Sequence, residues 1–215
     1  MDCKTIKMKL QVQSAQGTNA GREVELPENI FGVEPNEHAV YLAVKAYLAS
    51  QRQGTHKSKE RGEVAGSRRK LHKQKGTGGS RKGDIKSPIF RGGGRIFGPR
   101  PRTYNVKLNK KVAQAARASA FTVKANAGAI RVVEDLKFDA PKTKDYVAFL
   151  NAMGANEGKV LLITAETDQH VYRSGRNIPN SAILSAGQVS TYDVMKASTV
   201  IVSEGAIEKL KEQFA

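Results

Sequence analysis

One stretch in the middle of this chain cannot build a core of its own, and it governs everything else. Between Gln51 and Arg102 lie 16 basic side chains, three acidic ones and 11 of the chain's 20 glycines. The bases are Arg52, Lys57, Lys59, Arg61, Arg68, Arg69, Lys70, Lys73, Lys75, Arg81, Lys82, Lys86, Arg91, Arg95, Arg100 and Arg102; the acids are Glu60, Glu63 and Asp84. The window therefore carries +13 of the chain's net +16, and the other 163 of the 215 residues net only +3. Its large apolar side chains are few: Val64, Leu71, Ile85, Ile89, Phe90, Ile96 and Phe97. So little apolar surface does not offset roughly 1–2 kcal/mol of backbone entropy per residue. The window reads either as a flexible, solvated linker or as an arm that orders on a polyanion. Self-repulsion of this size opposes a compact state, which makes a nucleic acid the leading candidate partner.

The flanks have the pattern of an α/β domain. Overall 39% of residues are hydrophobic and 26% charged, which argues against full disorder. Lys4–Gln13 alternates, with Ile6, Met8, Leu10 and Val12 on one face, as a half-buried strand does. Residues 16–21 form a turn and Arg22–Leu26 alternates again, predicting a hairpin. Asn36 is placed to cap a helix to about Ser50, with Val40, Val44, Tyr47 and Leu48 inward. Beyond the window, Asn109 is placed to cap a second helix through about Ala125, with Val112, Ala116, Ala120 and Phe121 inside. Short apolar runs then alternate with amphipathic segments. Strands are predicted at Ile130–Val133, Val160–Thr164, Ala182–Leu184 and Thr199–Val202. Helical segments are predicted at Lys142–Met153, with Tyr146, Phe149 and Leu150 inward, at Asp168–Gly175, near Tyr192–Lys196, and at Glu204–Gln213 capped by Ser203. Near-continuous apolar strands separated by helices predict a single three-layer domain, a mostly parallel sheet flanked by helices. The globular domain then comprises residues 1–50 and 103–215, with a long extended basic loop, 51–102, inserted between two helices. Both loop ends sit on one body, so the excursion must double back; about 26 residues per limb reach at most ~85 Å.

Nothing in the chain has the pattern of an enzyme. Gly76–Gly83 is glycine-rich, yet no apolar strand precedes it. Arg81 stands where the dinucleotide fingerprint needs its third glycine, and Asp84 follows Gly83 where a P-loop needs Lys. His38, His56, His72 and His170 lack metal-ligand spacing, and Glu134-Asp135 reads as a solvated turn at a strand end. The single cysteine, Cys3, excludes an intramolecular disulfide framework and a Cys-only zinc site. No cofactor and no metal are expected. No apolar run approaches the ~18 residues of a bilayer span. The start of the chain alternates Lys with apolar residues rather than forming a signal-peptide core, so the expectation is a cytoplasmic protein with no membrane partner.

The window's chemistry suits RNA. Lysines and arginines every few residues neutralise phosphates one by one and release condensed counterions. Arginine adds a planar, bidentate fork that also stacks on bases. Glycines allow close backbone approach, and Pro88, Pro99 and Pro101 hold backbone extended. Phe90 and Phe97 can stack on unpaired bases, or pack on the domain edge or on each other. With no Trp and 6% aromatics, stacking alone does not account for binding. Threading among the phosphates of a folded RNA fits better. An RNA-modifying or RNA-cleaving enzyme with a basic grip loop would need a cofactor cradle or acid–base cluster, and a duplex-DNA packager would bind DNA and folded RNA alike.

Several short motifs stand in a characteristic order: Arg52-Gln53-Gly54-Thr55, Arg61-Gly62-Glu63-Val64, Gln74-Lys75-Gly76-Thr77-Gly78, Ser87-Pro88-Ile89-Phe90, and Gly92-Gly93-Gly94 through Phe97-Gly98-Pro99-Arg100-Pro101-Arg102. Arg176-Asn177-Ile178-Pro179-Asn180 and Tyr192-Asp193-Val194 follow. In this order they resemble the bacterial large-subunit ribosomal protein L-four family over essentially the whole chain. The resemblance implies a non-catalytic protein that binds large-subunit (23S) ribosomal RNA early in assembly. It implies a loop whose tip, Gln74, Lys75, Gly76, Thr77 and Gly78, lines part of the nascent-peptide exit tunnel. Neighbouring large-subunit proteins and the nascent peptide are then expected partners, and no homo-oligomer is. Two departures stand out. Lys70-Leu71-His72-Lys73 replaces the family's frequent Lys-Pro-Trp-Arg, and Gly78-Gly79-Ser80-Arg81 replaces Gly-Arg-Ala-Arg.

Overall fold

Strand Val160–Thr164 is buried along its whole length, and its alternate residues enter two different apolar clusters. Leu161 and Ile163 face one side of the sheet; Val160 and Leu162 face the other. A strand with two apolar faces must lie inside a sheet covered by helices on both sides. The computed structural model, which describes residues 8–156 and 158–214, has this arrangement. The chain divides into two compact units, one made of the residues up to Tyr47 with those from Lys107 onward, the other of Leu48–Val106.

In the first unit the elements run β1 (Lys9–Gln13), β2 (Asn19–Glu25), α1 (Glu28–Phe31), α2 (Glu37–Ser50, whose last residues belong to the second unit), α3 (Lys110–Asn126), β3 (Ile130–Val133), α4 (Thr143–Ala152), β4 (Val160–Thr164), α5 (Gln169–Gly175), β5 (Ser181–Ser185), α6 (Thr191–Lys196), β6 (Thr199–Ser203) and α7 (Glu204–Phe214). The strands form one six-stranded sheet in the order β2-β1-β3-β6-β4-β5. Only the β1–β2 hairpin is antiparallel; every other pairing is parallel. One face packs against α1, α3, α6 and α7 through Phe31, Phe121, Val194, Ile207 and Leu210. The other packs against α4 and α5 through Tyr146, Phe149, Leu150 and Val171. Tyr146 is fully buried and shares a 2.8 Å hydrogen bond with the Ser181 hydroxyl; burial raises its phenol pKa.

The predicted α/β architecture holds, with local corrections. Helix α1 carries the buried Ile30 and Phe31, yet four residues give no readable period. Asn36 caps α2 as expected, its Oδ1 accepting from the Ala39 N–H at 2.9 Å. The inward face assigned to α2 is another matter: Val40, Val44 and Tyr47 are half-buried, Leu48 is exposed, and Ala39 alone is buried. Asn109 precedes α3 in extended conformation but its side chain makes no capping bond. Ser203 does not cap α7: its hydroxyl is buried at the end of β6 without a partner. Asp135 does that work from the neighbouring strand end, accepting from the Gly205 N–H at 3.2 Å. Glu134 bonds Arg22 at 2.5 Å. The Glu134-Asp135 pair is thus structural rather than merely solvated. Helix α6 has a full capping box from Ser190 and Asp193. Cys3 and Ile6 lie outside the described residues.

Candidate nucleic-acid interface

From Gln51 to Asn109 the chain has neither helix nor strand, and no residue of the second unit enters either apolar cluster. What joins its outgoing and returning limbs is backbone hydrogen bonding. The Arg102 N–H donates to the Gly54 carbonyl at 3.1 Å, Ser58 to Pro99 at 3.1 Å, Arg95 to Lys59 at 2.9 Å, and Leu71 to Gly83 at 3.0 Å. These rungs need glycine. Gly54 has φ +66°, and a Cβ there would run into the Arg102 carbonyl oxygen. A Cβ at Gly94 would run into the backbone nitrogen of Arg61. Both positions let two backbones touch where any side chain would part them.

Each of the window's three carboxylates is bonded to a base of the same window. Glu60 accepts from Arg100 at 2.5 Å, Glu63 from Lys57 at 2.6 Å, and Asp84 from Arg61 at 3.1 Å. The Lys57 bond also holds the Glu63 carboxyl below its usual pKa. Asp84 is buried, with Oδ1 unpartnered, whereas Arg61 is exposed. The Lys57–Glu63 and Arg100–Glu60 pairs, exposed at both ends, contribute little stability. Their effect here is on charge: the acids are used up internally, and the other thirteen bases form no ion pair among the described residues.

Most of the predicted RNA-binding side chains are open to solvent. Arg52, Lys57, Lys59, Arg61, Arg68, Arg69, Lys70, Lys73, Lys75, Arg81, Arg91, Arg95, Arg100 and Arg102 are exposed; Lys82 is half-buried and Lys86 buried. At the loop tip, Gln74, Lys75, Gly76, Thr77 and Gly78 are all exposed. Lys70 bonds the Gln74 amide oxygen, and His72 Nε2 donates to the Ser80 carbonyl at 2.7 Å. The two phenylalanines differ: Phe90 is half-buried with Lys82 Nζ 5.5 Å from its ring centre, while Phe97 is wholly exposed.

Tyr104 was not among the residues expected, because it lies two places beyond the basic window. The Arg52 guanidinium sits 3.7 Å from its ring centre and that of Arg102 at 4.6 Å. Arg102 also draws its phenol pKa below the ordinary value. Stacking uses the face of each guanidinium and leaves its N–H edge for phosphate. An aromatic just after a run of arginines was the available signal.

His38 and His170 are exposed, His56 approaches the Tyr104 hydroxyl at 3.4 Å, and among the described residues no cluster of three or more His, Cys, Asp or Glu is arranged to bind an ion. Nor is any helix of the described residues long and apolar enough to cross a membrane.

Comparison with known proteins agrees with the arrangement of motifs and charge. Residues 24–213 match the profile of the ribosomal protein L4/L1 family. The large ribosomal subunit protein uL4 of Christiangramia forsetii is 49% identical over 97% of this chain and 100% of its own length. That of Amoebophilus asiaticus is 51% identical over 96% of this chain and 99% of its own, and that of Porphyromonas gingivalis 49% over the same shares. The chain belongs to the ribosomal protein L4/L1 family.

Proposed function

We propose that this chain is a structural constituent of the large ribosomal subunit, that residues 51–102 bind its 23S ribosomal RNA, and that residues 1–50 with 103–215 form the body carrying them. Family membership makes it a structural protein and not an enzyme. The observation that carries the RNA reading is the charge arrangement: a window of net +13 whose three acids are all bonded to its own bases. Such a surface gains free energy by replacing counterions condensed on phosphates. The paired limbs keep the segment narrow in backbone, and glycine keeps it thin. A cationic segment of two backbone-bonded limbs suits the crevices of a folded RNA better than the groove of a regular duplex.

The same reading gives the loop two further tasks. Its tip, Gln74–Gly78, lines part of the polypeptide exit tunnel, where it faces the nascent peptide. Contact with several RNA segments at once supports early assembly of the subunit, beside neighbouring ribosomal proteins in the cytoplasm. Cosedimentation of the tagged protein with ribosomal subunits through high-salt gradients tests the proposal. The expected result is co-migration with the large subunit; absence from that peak overturns it. Equal affinity for duplex DNA and folded RNA in a competition assay would favour a general nucleic-acid packager instead.

A further inference from the structure

We infer that Phe97 is a base-stacking wedge: its ring packs on an unpaired nucleobase of the bound RNA while Arg95 holds an adjacent phosphate. The inference rests on the RNA-binding reading above and assigns one site within it.

Three observations point to this residue. First, Phe97 has φ +52°, in the left-handed region that bulky side chains avoid. Glycines fill all the other positive-φ positions in this window, so an aromatic here is held in place by its surroundings. The surroundings are visible. The Arg95 N–H donates to Lys59 and the Pro99 carbonyl accepts from Ser58, so both ends of the short turn are tied to the opposite limb. Phe97 stands at the apex between them. Second, its exposure is 104%, leaving the whole ring in water next to the 60%-exposed Ile96. A strained backbone that presents a bare aromatic ring has no folding benefit within the described residues. Third, the ring borders an open groove of about 790 Å³ that His56, Arg61, Arg95, Arg100 and Arg102 also line. The groove's carboxylate, Glu60, is already bonded to Arg100. Four guanidinium groups around one free aromatic face match a ligand that is both flat and anionic, which is a nucleotide. An apolar peptide would leave the Arg95 and Arg102 charges, which form no ion pair among the described residues, unmet.

Phe90 does not share the role. It is half-buried, and the Lys82 ammonium already lies 5.5 Å from its ring centre.

The chain has no tryptophan, so a single Trp reports on its own position. Phe97→Trp and Phe90→Trp are titrated with a transcript of large-subunit ribosomal RNA while indole emission is followed. Strong quenching at position 97 and little at position 90 is expected. Phe97→Ala and Phe97→Gly are each expected to bind about 5- to 100-fold more weakly, with the salt slope of binding unchanged. The glycine variant separates ring from backbone, because it accepts φ +52° without strain. Binding by Phe97→Gly at parental affinity, or Phe97→Trp emission indifferent to RNA, overturns the inference. Quenching of Phe97→Trp by an acidic protein segment but not by RNA overturns it in favour of a protein contact. A parent protein that binds the transcript with only a shallow salt slope defeats the RNA-binding reading itself, a result distinguishable from either of these.

Discussion

The two units of this molecule hold themselves together by opposite means. The body nets about +3 and places its apolar residues in two clusters, one on each face of a six-stranded sheet. The insertion nets +13, contributes nothing to either cluster, and is joined by backbone rungs, glycine contacts and three ion pairs. Burial of apolar area is what offsets chain entropy in the first. The second has too little of it, and on the reading proposed above RNA supplies part of its ordering free energy. One chain thus contains a part held by buried apolar area and a part held by polar bonds and close backbone approach.

The sharpest way to break that comparison is to remove the insertion. Deleting Gly62–Arg95 takes out ten of the sixteen bases. RNA affinity is expected to fall by at least about 10³-fold with a salt slope less than half the parent's, while circular dichroism and the melting temperature of the body stay near the parent's. A collapsed body would show that the insertion is part of its fold. The converse experiment is Phe121→Ala. Phe121 is fully buried against Phe31, so the loss is expected to be about 3–5 kcal/mol, read by denaturant unfolding, with the salt slope untouched. Gly54→Ala puts a Cβ against the Arg102 carbonyl at a left-handed position. It is expected to cost more than about 1 kcal/mol in the insertion alone, seen as faster proteolysis there with the body's melting unchanged. Ser190→Ala removes the capping box of α6 and is expected to cost about 1 kcal/mol of body stability. The smallest effect is spectroscopic. Arg102 lowers the Tyr104 pKa and burial raises that of Tyr146, so an alkaline titration should ionise Tyr104 first. Tyr104→Phe should delete that early phase and leave the late one.

How far the sequence could be read follows the same division. In the body, short near-continuous apolar runs locate β3, β4, β5 and β6, and helical spacing locates α3, α4 and α5, to within a residue or two, because burial on a regular element leaves a trace in the sequence. The failures are features without such a trace. Helix α1 spans four residues, fewer than are needed to show a period. Asp135 caps α7 from 70 residues away, whereas a sequence reading looks to the adjacent Ser203. In α2, helical spacing was present but the apolar face is only half covered, since spacing says nothing about what packs against it. In the insertion, composition revealed the charge and the glycines. It could not reveal that Arg61 would meet Asp84 across 23 residues, that Tyr104 would gather two guanidinium groups, or that Phe97 and Phe90 would differ in exposure. Those depend on how the limbs pair, and the pairing is carried by backbone groups that every residue has.

The central claim is that the insertion's charge is there to meet phosphates. The most direct test is the salt dependence of binding to a large-subunit ribosomal RNA fragment. Engaging about 8–10 phosphates predicts a log–log slope of about −7 to −9. A slope shallower than about −3 would contradict the account.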